Sequence, residues 1–208
     1  MSARRVIDPP AAAAMLHRRR AWWPYLTIAL ALCAAAPARA TTYPPVTFSE
    51  LVARADLIFV GEVVDVRPYF DQTRDGPVIR TRVVFRVTDP LWGTTAALEV
   101  LEFFGGEIGD LGMAIAEMPT FAVGDRRVVF ARRERSINPI VGFTQGVLRI
   151  ARDAAGVERV RTLDGTPLAR PESIGRAPAP GVVVPEAPMR LADFRDRVRR
   201  ALAEARRR

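Results

Sequence analysis

The chain contains no lysine, a single histidine, His17, and a single cysteine, Cys33. Both of these lie among the first 40 residues, so everything after Ala40 lacks His, Cys and Lys altogether. That excludes Ser-His-Asp and Cys-His nucleophiles, Schiff-base and Ser-Lys mechanisms, and nearly every structural zinc site. Disulfides are excluded as well, so a folded body must be held by packing alone. Carboxylates are the remaining bases. Of the serines after Ala40, Ser49 falls in the first turn of an expected helix, Ser173 in a proline-rich stretch, and Ser136 in a loop. No catalytic residue and no cofactor is expected.

The formal charge of +8 is unevenly spread. Residues 1–40 hold six Arg against one acid, residues 41–189 hold 17 Arg against 19 acids, and residues 190–208 hold eight Arg against three acids. The body is therefore close to neutral, which argues against nucleic acid, whose binding calls for a basic groove interleaved with aromatics. The exclusive use of Arg as the basic residue reflects codon usage.

Arg18-Arg19-Arg20, the apolar stretch 21–36 and the Ala38-Arg39-Ala40 site follow the order of a secretory signal peptide. Residues 1–40 are therefore expected to direct export, to the periplasm or outside the cell, with cleavage after Ala40 leaving Thr41 as the new terminus. Met15 offers an alternative start. The other readings are an uncleaved anchor at 21–36, a twin-arginine signal at Arg19-Arg20 without its usual preceding Ser or Thr, and lipidation at Cys33, where bulky Leu32 is unfavourable.

After an extended lead, Thr47-Phe-Ser-Glu50 has the form of a capping box, and Phe48, Leu51, Val52 and Ala55 share one helical face. Leu57–Val66 is apolar and β-branched on both faces, as a central strand is, and is expected to end at Arg67-Pro68. Residues 78–87 alternate apolar with Arg80, Arg82 and Arg86, a half-buried strand broken at Asp89-Pro90. Further strands are expected at 98–104, 113–118, 127–131, 146–151 and 157–163, the last two joined by the Asp153–Gly156 turn. The fold class is mainly β, a small OB-like antiparallel barrel over residues 41–163 with a short N-terminal helix. Residues 164–188, with six prolines, are expected as a linker, and 189–208 as an Arg-rich C-terminal amphipathic helix with Leu191, Phe194, Val198, Leu202 and Ala205 on one face. Docking of that face on the barrel is expected, with weak contact to a membrane surface as the alternative.

The helix ending at Ala55-Asp56, the strand Leu57-Ile-Phe-Val-Gly-Glu-Val63, the Leu91-Trp92-Gly93 turn and Phe121-Ala-Val-Gly-Asp-Arg-Arg-Val-Val-Phe130 together resemble the netrin-like module, the OB-type barrel of the tissue inhibitors of metalloproteinases. They resemble still more closely uncharacterised exported bacterial proteins of that shape. The likeness spans about residues 46–131 and implies a scaffold for binding. In the inhibitors a disulfide-fixed N-terminal Cys meets the catalytic zinc; here that place falls to Thr41, with no disulfide, so inhibition does not carry over.

Glu102, Glu107 and Asp110 gather in a Gly-rich stretch and are the candidate calcium ligands, without the regular ligand spacing of a calcium loop. Arg132, Arg133 and Arg135, with Thr41, are the candidate contacts to a partner. The expected function is an exported non-enzymatic binding module for a protein partner, an exported protease being one choice. The alternatives are a metalloprotease inhibitor and an envelope-associated structural protein. N-terminal sequencing of the exported protein should read Thr41 first; Met1, Met15 or a modified Cys33 at the terminus would contradict the processing site.

Overall fold

A computed structural model describes residues 44–94, 96–176 and 187–207. The segment expected to direct export, and Thr41, lie outside the described residues. The elements in chain order are α1 (Phe48–Arg54), β1 (Leu57–Thr73), β2 (Gly76–Trp92), β3 (Leu98–Phe104), β4 (Gly106–Ile108), β5 (Leu111–Met113), β6 (Arg126–Ala131), β7 (Val147–Arg152), β8 (Glu158–Arg161) and α2 (Leu191–Ala205).

Six strands form one antiparallel sheet in the order β3-β2-β1-β6-β7-β8, and β4 and β5 form a separate hairpin. The sheet is open rather than closed into the expected barrel: β3 and β8 are its two edges. The segment that follows β6 does approach β3, but a single backbone bond, Phe104 N to Ile137 O at 2.9 Å, joins them. Asn138 and Pro139 account for this. The Asn138 side chain accepts from Ile140 N at 2.9 Å, and a proline cannot donate to a ladder, so no strand continues there.

β1 is central, as its two-sided apolar run requires: over Leu57–Glu62 it pairs with β6 on one side and β2 on the other. Its side chains alternate between two cores. Ile58 and Val60 join Leu51 and Val52 of α1, Val128, Phe130 and Leu148 on the helix-covered face, while Leu57, Phe59 and Val63 join Val83, Phe85, Leu101, Val129 and Val147 on the other. Phe59 is fully buried and meets the Phe85 ring edge-on at 5.6 Å. The capping box of α1 forms as expected: Thr47 Oγ1 accepts from Glu50 N at 3.2 Å and Glu50 Oε2 accepts from Thr47 N at 2.9 Å. Those bonds from Thr47, with Arg54 one turn on, lower the Glu50 carboxyl below its ordinary range. The cap is therefore present above the ordinary Glu range and is lost as pH falls through the lowered value.

Three expected boundaries are corrected. β1 runs through Pro68 to Thr73, and β2 runs through Pro90 to Trp92. Pro68 lies beyond the reach of β6 and Pro90 beyond that of β3, so each has a neighbouring strand on one side only, and a missing N–H is tolerated on such an edge. The strand expected at 113–118 is instead the end of the β4–β5 hairpin at Met113. Glu117 then adopts a positive φ of 59°, incompatible with an extended strand.

The front half of the proline-rich stretch packs on the body: Leu168 and Ile174 are buried, and Met189 N donates to Leu168 O at 2.8 Å. Residues 177–186 lie outside the described residues. α2 docks through Leu191, Phe194 and Val198, with Phe194 edge-on to Phe48 and Phe130. Leu202 is half-buried and Ala205 exposed. Asp89 of β2 pairs with Arg195 and Arg199, and the Arg206 guanidinium lies 3.9 Å from the centre of the Trp92 ring, so α2 is fixed at both ends. In urea melts Phe59→Ala is expected to cost about 3–5 kcal/mol, through lost burial and a cavity, and Arg82→Ala less than about 1 kcal/mol. Comparable losses would misplace the core.

Candidate functional site

The exposed edge of β3 is built by its register. Val87 N donates to Ala97 O and Gly105 N to Ile79 O, at 2.9 and 2.8 Å, so odd-numbered backbone groups on β3 face β2. The even-numbered residues Leu98, Val100, Glu102 and Phe104 therefore turn their N–H and C=O outward. Ile137 takes the Phe104 N–H; among the described residues no backbone group takes those of Leu98, Val100 or Glu102. The side chains of Leu98 and Val100, 54% and 48% exposed, stand beside this bare edge.

Facing the edge is the segment 132–139. Between the two runs a groove of about 370 Å³ lined by Glu99, Val100, Glu102, Arg132, Arg133 and Arg135. Its far end is closed by a polar network on the β1–β2 hairpin. Asp71 pairs with Arg80 at 3.0 Å and with Arg135 at 2.8 Å, and Glu102 pairs with Arg82 at 3.3 Å and Arg135 at 3.7 Å. Arg80 is 9% exposed, donates to Ser136 O at 3.1 Å and lies over the Phe104 ring. The Asp71 carboxylate, with the hydrogen bonds that Arg135 gives to Tyr69 and to Asp71, raises the Arg135 guanidinium above its ordinary value. Arg82 stacks on the Tyr69 ring at 5.2 Å.

The near end is set by Gly93. Its φ is +71°, and a Cβ there would come within 1.8 Å of the Asp56 carbonyl oxygen, so glycine alone fits. The Gly93 carbonyl accepts from Arg133 Nη2, while Asp56 Oδ2 accepts from Arg133 N at 2.9 Å. This ties the start of β1, the end of β2 and the 132–139 segment into one corner.

The expected partner residues thus have different situations. Arg133 is engaged at the Gly93 corner and Arg135 with Asp71 and Glu102. The exposed side chain of Arg132 has no partner among the described residues. Thr41 lies outside the described residues. Of the calcium candidates, Glu102 is held by arginines, whereas Glu107 and Asp110 are exposed around the β4–β5 hairpin; among the described residues no three acids gather to hold a metal. Tyr69, Asp71 and Arg80 were not legible as site residues. In sequence Arg80 belongs to a solvated outer face, and nothing local shows that a loop more than fifty residues on covers it. No protein-family model matches the chain, and no curated protein matches it.

Burial, then the hydrogen bonding and charge of Glu102, push the Tyr69 phenol above its ordinary 10. The folded state holds that proton longer than the unfolded chain does, so stability falls as pH rises past 10. Ultraviolet titration of residues 41–208 carrying Tyr43→Phe should show Tyr69 ionising above 10, and Glu102→Gln should bring it down.

Proposed function

We propose that the protein is an exported, non-enzymatic binding module that takes a protein partner along the free edge of β3. The observation that carries this is the bare edge itself: three residues with outward backbone donors and acceptors, two exposed apolar side chains, and an unpaired arginine across the groove. An extended segment of a partner would add a strand there, with backbone bonds giving affinity and alternate side chains meeting Leu98, Val100 and Arg132. Exposed edges of this kind are otherwise shielded in stable proteins, by charge, proline or a covering loop.

The curl that brings the 132–139 segment to β3, together with a helix packed on one face of the sheet, supports an OB-like scaffold for this module. Contact with an envelope surface would fall to the arginines of α2, since Leu191, Phe194 and Val198 are turned into the body.

Capture from the host's exported fraction, run in parallel with wild-type protein and Val100→Pro, tests the reading. Proline removes an outward N–H, and the variant should lose the retained partner while keeping its melting temperature within a few degrees. Retention of the same partner by both proteins would place the interface elsewhere. If the partner is a metalloprotease, lowered protease activity in the complex would identify the inhibitor alternative.

A further inference from the structure

The strands carry ten arginines, and eight of them pair with a carboxylate: Arg67 with Asp65, Arg80 with Asp71, Arg82 with Glu102, Arg86 with Glu62, Arg126 and Arg152 with Glu158, Arg127 with Asp125, and Arg159 with Asp153. Arg149 and Arg161 are the two strand arginines that pair with none among the described residues. They are also directly opposite each other, Arg149 on β7 and Arg161 on β8. On the other side of Arg149, in the same row, stands Arg127 of β6.

The backbone positions of three arginines therefore lie in line across adjacent strands, at the interstrand spacing of ~4.8 Å, with their side chains on one face of the sheet. Like charges placed directly opposite destabilise a sheet. Arg127 adds a second observation. It is 4% exposed, its Nε is buried without a hydrogen-bond partner, and Asp125 engages only the other arm of its guanidinium, Nη2, at 2.5 Å. Arg161 gives Nη1 to the Gly165 carbonyl at 3.0 Å, a neutral acceptor, and Arg149 is exposed. Asp125 and Asp153 are taken by Arg127 and Arg159, and the Asp164 carboxylate, in the turn that Arg161 contacts, accepts from Thr162 and Thr166.

We propose that Arg149 and Arg161, with Arg127 beside them, form a binding site for a phosphate or sulfate group. A tetrahedral dianion has enough charge to neutralise two guanidinium groups and enough oxygens to accept from both forks at once, which a single planar carboxylate does less well. None of the three arginines lines the β3 groove, so the site is independent of the protein-binding reading.

Calorimetric titration of residues 41–208 with inorganic phosphate, at ionic strength held constant with chloride, tests the site, and flotation with phosphatidic acid vesicles tests whether the group arrives on a lipid. Saturable binding of one phosphate per chain is expected, weakened at least tenfold by Arg149→Gln or Arg161→Gln and unchanged by Arg132→Gln. Vesicle binding that these two variants abolish, without binding of the free ion, would assign the same site to a headgroup. In phosphate-free buffer Arg149→Gln should melt no lower than wild type, because it relieves repulsion without removing an ion pair. Absence of binding to both probes, or equal binding by wild type and the two variants, would overturn the proposal.

Discussion

One strand segment, Leu57–Val63, holds the two halves of this protein together. Its even residues Ile58 and Val60 enter the core beneath α1 and α2, and its odd residues Leu57, Phe59 and Val63 enter the core on the opposite face. With no disulfide available after Ala40, neither core has a covalent tie, and the two meet through the strands that feed both, β1 at the centre with β6 and β7 beside it. Two hydrogen-bonded neighbours fix the segment so that each side chain stays on its own face. A one-residue slip would put Phe59 under the helices and Val60 in its place, disrupting both layers at once.

The same geometry produces the groove. Because β1 and β2 continue well past the reach of β6, they form a long hairpin that carries β3 away from the helix-covered end and leaves one edge of it bare. The 132–139 segment comes back to that edge from the other side of β1 and is pinned by Arg133 at the Gly93 corner and Arg135 at Asp71. Buried and half-buried ion pairs of this sort contribute modestly to net stability. Their role here is positional, since they hold the polar wall of the cleft opposite Leu57 and Leu101 of the core.

Local chemistry made much of the fold legible. The capping box, the two-sided apolar run of β1, the Asp153–Gly156 hairpin and the apolar stripe of α2 each depend on neighbours in sequence, and each formed where the residues indicated. Pro68 and Pro90 misled because a proline's meaning depends on whether its strand has a second neighbour, which is a tertiary fact. The open edge was hidden for a related reason: a strand pattern shows which face is buried but not how many partners it has. The polar network is longer-range still, since Arg135 and Asp71 are 64 residues apart. The row of Arg127, Arg149 and Arg161 became visible only once register placed them opposite one another.

Amide hydrogen exchange resolved by residue tests the central claim most directly. If β1 is the central strand shared by both cores and β3 a true free edge, the amides of Ile58–Val60, paired on both sides, exchange only through global unfolding, whereas those of Leu98, Val100 and Glu102 exchange close to unprotected rates beside a protected Leu101 and Phe104. Rapid exchange in β1, or uniform protection along β3, would contradict the account.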